Sequence, residues 1–169
     1  MNDLGTVTTT GDHAILTFER RLPFPIDRVW AAITDPAERK AWFGAGTVEQ
    51  REGGEVVIEP DDPPAPMEAK RVTGRILTWQ PPAQGHAVFE HEWQQRIVED
   101  SVVRYELKAE GDGTVLTFTH IGLSERNALG FVPGTHAFLD RLTAHLGDET
   151  LPGWSERYAE VAPAYPAWK

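Results

Sequence analysis

The chain is expected to fold as an α+β domain. A curved antiparallel sheet of about six to seven strands wraps on a long C-terminal helix, with two short helices after the first strand. Three patterns predict this. Segments of alternating polarity, parted by turn residues, succeed one another from about Thr47 to His120. Ile26, Val29, Trp30 and Ile33 fall at i, i+3, i+4 and i+7 and make one apolar helical face. Phe131, Thr135, Phe138, Leu142 and Leu146 then form a stripe facing the sheet, on a helix long enough to cover it. A strongly twisted sheet curls around such a helix, and incomplete filling of the concave side leaves a cavity.

Taken in order, residues 1–12 are small and polar and are expected to fray. His13–Leu22 alternates as a half-buried strand, stopped by Pro23 and Pro25. The first short helix follows, and Asp35-Pro36-Ala37-Glu38 reads as N-cap, N1 proline and N3 glutamate opening the second. Glu52-Gly53-Gly54 turns between strands near 47–51 and 55–59. Pro60 to Pro66 contains four prolines, which denies it both helix and central strand and makes it an exposed, stiff loop. Strands at about 69–79, 86–94, 101–109 and 114–120 are parted by Pro81 to Gly85, by Glu99-Asp100 and by Glu110 to Gly113. The long helix is placed from Phe131 to Leu146, closed by Gly147, with residues 121–129 as a loop. A short helix ends the chain near Pro152–Val161, with Trp154, Tyr158 and Val161 on one face. The whole of 1–169 is read as one domain, with 148–169 as a C-terminal extension.

Composition narrows the function. With 40% hydrophobic and 9% aromatic residues the chain can build one sizeable core. Its 16 Lys and Arg against 26 Asp and Glu leave a formal charge of −10, which argues against nucleic acid and against an anionic membrane surface. The absence of cysteine excludes disulfides, thiolate nucleophiles and Cys-based metal sites. No secretory signal or long apolar run is present, so the expected location is the cytoplasm.

Pro25 to Pro36 (Pro-Ile-Asp-Arg-Val-Trp-Ala-Ala-Ile-Thr-Asp-Pro), followed by Trp42-Phe43, resembles the opening of START-like proteins of the SRPBCC superfamily. The branch it resembles most is the bacterial homologues of the activator of heat-shock-protein-90 ATPase. Gly53-Gly54, Gly74 to Leu77 with Pro81-Pro82 behind, Thr114 to His120, and Phe138 to Leu142 agree in order and spacing, over roughly residues 13–147. The resemblance implies a helix-grip fold with an apolar cavity between sheet and long helix. It supplies no shared catalytic motif. Where many relatives carry Thr-Trp in the strand after the double proline, this chain has Glu90-His91, so no ligand is carried over from them. The eukaryotic activator also uses a separate N-terminal domain that nothing here resembles, so a chaperone contact is compatible with the resemblance but unsupported by the chain.

Strand parity nominates what lines such a cavity. Ala87, Phe89, His91 and Trp93 share one phase, with Val88, Glu90 and Glu92 opposite. Val103, Tyr105 and Leu107 share the next, and Leu116, Phe118 and His120 the last. The candidate ligand-binding set takes Ile76, Phe89, His91, Trp93, Tyr105, Phe118 and His120 from the sheet, and Trp42, Phe43, Phe131, Phe138 and Leu142 from the helical segments. A few convergent polar groups in an apolar hollow are how small-molecule sites orient ligands. The entrance is placed between the 60–66 loop and residues 121–130.

Competing chemistries find less support. His86 and His91 are five apart in a strand, and His136 and His145 nine apart in a helix, so neither pair converges on a metal. Ser101, Ser124 and Ser155 lack a nucleophile motif and an evident histidine partner. No phosphate-binding loop or dinucleotide fingerprint is present, and no cofactor is expected. The preferred partner is a small hydrophobic or aromatic molecule. An enzyme using His91, Tyr105 or His120 as acid or base, a co-chaperone-like protein-binding module, and a homodimer all remain open at this stage.

Overall fold

The computed structural model of the chain describes residues 3–167. Alternation over β2 (His13–Leu22) buries Ala14, Leu16, Phe18, Arg20 and Leu22 and leaves the intervening residues more exposed. The two prolines after it release the chain into α1 (Ile26–Thr34) and α2 (Pro36–Trp42). Asp35 caps α2 by accepting a hydrogen bond from the Ala37 amide at 2.9 Å. Glu38 does not close the reciprocal half of a capping box; it pairs with Arg28 and His145.

From α2 the chain reaches the far edge of the sheet and walks back strand by strand. These are β3 (Gly44–Val48), β4 (Glu55–Pro60), β5 (Val72–Ala83), β6 (His86–Gln95), β7 (Ser101–Glu110) and β8 (Gly113–Leu123). The short helix α3 (Met67–Lys70) sits between β4 and β5. β8 closes the sequence by pairing with β2, and with β1 (Thr6–Thr10) on the outer side of β2 all neighbours are antiparallel in the order β1-β2-β8-β7-β6-β5-β4-β3.

The sheet has eight strands rather than six to seven. The added strand, β1 (Thr6–Thr10), lies in the segment whose composition reads as loose. Its β-branched threonines suit a strand, and Gly11 at φ +62° makes the tight turn into β2. As an edge strand it is exposed almost throughout, so it carries no alternation to read. β5 continues through Pro81 and Pro82, which were expected to end it. There β5 has run past the end of β4 and needs no donors on that side, and its register against β6 shifts twice. Val88, placed outside by parity, is nonetheless buried.

The long helix α4 runs over Glu125–Leu146, six residues earlier than its expected start. Ser124 is its N-cap and accepts from the Asn127 amide at 3.2 Å. Pro133 therefore lies inside the helix. The buried stripe is Val132, Leu139, Leu142 and Leu146, with Phe131 and Phe138 half-buried beside it. After a short loop, α5 (Trp154–Val161) packs back on α4.

One carboxylate pins α4 to the sheet and to α5. Asp140 accepts from the buried Arg20 of β2 at 2.8 Å, from Arg157 of α5 at 2.6 Å and from His136 Nε2 at 3.3 Å. His136 Nδ1 meets the Tyr165 hydroxyl at 2.8 Å, and that oxygen accepts the Gly5 amide at 2.8 Å. Burial opposes the charge on Asp140, but its hydrogen bonds from His136, Arg157 and Arg20 hold its carboxyl well below the usual range. Asp140→Ala strands Arg20 without a counter-charge and is expected to cost about 3 kcal/mol in urea denaturation. Arg96→Ala, which breaks an exposed pair with Glu68, is expected to leave the midpoint unmoved.

Candidate functional site

Three inward-facing residues on adjacent strands supply the floor of the site. The register sets Phe89 opposite Tyr105 and Tyr105 opposite Phe118, and one step along the ladder sets His91 opposite Val103 and Val103 opposite His120. Tyr105, Phe118 and His120 are all buried and line a cavity of about 240 Å³ between the sheet and α4. Trp93 completes the sheet side, and Phe131, Thr135, Phe138 and Leu139 descend from α4.

Aromatic contacts give this wall its shape. Phe43 stacks on Trp42 at 5.3 Å and meets Phe138 edge-on at 4.5 Å. Trp93 lies 5.1 Å from the His120 ring, and Phe131 stands over His120 at 5.6 Å. The mouth is bounded by Pro60 at the end of β4, by Asp62 and Pro63 of the proline-rich loop, by Lys70 of α3, by Gln95 at the end of β6 and by Ile97 beyond it. Trp154 and Tyr158 of α5 close the other side.

Of the twelve candidate residues, eight face this cavity: Trp42, Phe43, Trp93, Tyr105, Phe118, His120, Phe131 and Phe138. Ile76, Phe89, His91 and Leu142 are buried but do not line it. The concave face is shared. At one end α1 and α2 plug it, with Trp30 against Trp79 at 5.0 Å and against Phe89 at 6.4 Å. There Arg39 also lies over the Phe89 ring at 5.9 Å. Leu142 belongs to the half of α4 that fills the core. The proline-rich loop does flank the entrance. Residues 125–130, expected as loop there, are helix, and only Gly130 of them reaches the cavity.

α5 was not foreseen as a wall, although its two aromatics at i and i+4 were placed on one face. Tyr158 donates to the Gly130 carbonyl at 3.3 Å and Trp154 to the Gly134 carbonyl at 3.1 Å. A Cβ on Gly134 would lie 2.9 Å from the Trp154 ring, so only glycine allows this approach. Lys70 gave no signal in the sequence at all.

A family model for "Activator of Hsp90 ATPase homolog 1-like protein" matches residues 23–147. The chain belongs to this family. The crystal structure of CalU16 from Micromonospora echinospora superposes with a TM-score of 0.73 at 26% identity, covering 96% of this chain and 92% of that one. The solution structure of the protein encoded by BPP1335 from Bordetella parapertussis gives 0.70 at 26% identity, covering 96% and 89%. The Mll3558 protein from Rhizobium loti gives 0.64 at 26% identity, covering 83% and 99%. No curated protein matches the chain significantly. Family and neighbours agree with the START-like, helix-grip architecture described above.

Within this family member the site histidines are held neutral. Burial pushes His91 down to about 4, with the Arg39 charge nearby adding to the effect against its bond to the Glu92 carbonyl. His91 Nδ1 donates to that carbonyl at 2.8 Å, and its Nε2 has no hydrogen-bond partner. Burial, with His91 adjacent, pushes His120 down to about 3. Burial also raises the Tyr105 phenol, with the Arg39 charge working against it.

Ser101 does have a histidine partner, contrary to expectation. Its Oγ lies 2.8 Å from His120 Nε2, because Ser101 pairs with Trp93 two positions along the ladder from the Val103–His120 pair. Strand parity could have found this contact once the register of β7 against β8 was known. Among the described residues no carboxylate reaches His120, so the third member that orients and charges a catalytic imidazole is missing from this pair.

Both rings titrate nearer 6.5 once unfolded. Between pH 6.5 and about 4 the unfolded chain therefore binds more protons, and stability falls as pH falls, by up to about 1.4 kcal/mol per pH unit per ring. A His91→Leu/His120→Leu double variant is expected to lose stability less steeply from pH 6.5 to 4.5 in urea denaturation. Equal slopes would show that the rings take up protons alike in the folded and unfolded chain.

Proposed function

We propose that the chain binds a small hydrophobic or aromatic molecule in the cavity between sheet and α4, without transforming it. The observation that carries this reading is the hollow itself: about 240 Å³, walled by Phe43, Trp93, Phe131 and Phe138 and edged by Tyr105 and His120. A cavity of roughly 150 Å³ accepts one benzene, so this one suits a body of about two rings. Tyr105 and His120 are the orienting groups. A histidine held near 3 is too weak a base for proton abstraction at neutral pH, whereas its ring nitrogens still make directional hydrogen bonds.

The family's description names an ATPase activator, and a protein-binding role would use the outer surface. The two readings separate by experiment. Titrating the protein with 2-naphthol and following fluorescence from Trp42, Trp93 and Trp154 is expected to give micromolar binding. Thr135→Phe, which pushes a ring into the hollow from α4, is expected to weaken it at least tenfold while the protein stays folded. Absence of binding by any two-ring probe, or binding indifferent to Thr135→Phe, refutes the cavity reading.

A further inference from the structure

Two cations are buried around this cavity without a counter-ion. Lys70 is 8% exposed and Arg39 is 3% exposed, and among the described residues no carboxylate lies within ion-pair distance of either. In a chain with ten more acidic than basic side chains, this is not a shortage of partners; Arg20, equally buried, has Asp140. Lys70 Nζ donates to the backbone carbonyls of Asp61 at 2.8 Å and Pro63 at 3.0 Å. Those two bonds tie down the proline-rich loop and leave one of the three ammonium donors without a partner, on a residue that walls the cavity. Arg39 lies deeper, over the face of Phe43 at 5.3 Å. It donates to the Ile33 carbonyl at 2.6 Å, and its Nη2 has no hydrogen-bond partner.

A buried charge without a counter-charge is costly, and carbonyl oxygens offset that cost only in part. The other charged side chain on the rim is Asp62, which lines the same mouth but does not reach Lys70 Nζ within ion-pair distance.

Resting on the cavity reading, we infer that the ligand is an amphipathic acid: an apolar body of about two rings carrying a single carboxylate. The body lies between Phe43, Trp93, Phe131 and Phe138, and the carboxylate takes the free ammonium donor of Lys70. Arg39 adds a positive potential from behind Phe43. A neutral molecule of the same shape fills the hollow and leaves the cation uncompensated, so the head group decides selection between them.

Isothermal titration at pH 7.5 with 2-naphthoic acid and methyl 2-naphthoate tests this. The acid is expected to bind ten- to a hundredfold more tightly than the ester, the range of one charge-assisted hydrogen bond. Lys70→Met is expected to erase the preference while the ester's affinity holds, and Lys70→Arg to restore part of it. Asp62→Asn, which leaves the loop's tether intact, is expected to strengthen the acid a few-fold and leave the ester unchanged. Equal binding of acid and ester by the unaltered protein, or a preference that survives Lys70→Met, overturns the inference while the cavity reading stands. Failure of both compounds to bind overturns both. If Lys70→Met loses both ligands through a loosened loop, the Asp62→Asn result decides: a stronger acid supports the inference, and no change refutes it.

Discussion

Helix α4 meets the sheet through two unlike halves. Toward its C-terminal end Leu142 and Leu146 are buried in the core, while Leu139 is buried at the edge of the cavity. From Gly130 to Thr135 two glycines, a proline and a threonine accompany Phe131 and Val132, so Phe131, over His120 at 5.6 Å, is the one large ring this part sets above the floor. Asp140 stands where the halves join and is held from the sheet by Arg20 and from α5 by Arg157. The hollow over Tyr105, Phe118 and His120 lies under this less bulky part of the helix.

The same unevenness admits α5. Glycine at 134 lets the Trp154 ring lie against the helix backbone, and the carbonyls of Gly130 and Gly134 take the Tyr158 and Trp154 donors. The C-terminal segment thereby becomes a wall of the cavity. On the opposite side of the mouth Lys70 holds the proline-rich loop through backbone carbonyls. A rigid floor with walls from segments outside the sheet is how one architecture is adapted to different ligands.

Interior electrostatics point the same way. The two histidines near the cavity are neutral because burial makes their charged forms costly, so they serve as fixed hydrogen-bonding groups. Two cations are buried with them, and arginine in particular keeps its charge under any accessible condition. Neutral imidazoles beside uncompensated cations make an interior that is apolar in its walls and positive in its field.

Periodicity settled a large part of this protein in advance. Alternation over His13–Leu22, 86–94, 101–109 and 114–120 assigned each strand's inward residues, and His91, Tyr105 and His120 are buried as that parity requires. Such patterns are legible because each is local: one buried face imposes period two on a strand and 3.6 on a helix. The edge strand at Thr6–Thr10 escaped because Val7 alone packs against the core and one residue makes no alternation. The start of α4 escaped because proline is a strong negative signal, whereas Ser124 capping is a weak positive one. Which inward residues meet open space was undecidable locally, since Phe89 and Phe118 have the same parity and opposite fates. Their difference lies in what stands across from them, Trp30 and Arg39 of α1 and α2 in one case and the cavity in the other. The meeting of Ser101 with His120 and the lack of a carboxylate beside Lys70 likewise depend on distances between segments far apart in the chain. Local pattern carries the direction of each side chain; only the packing of whole elements against one another sets what it faces.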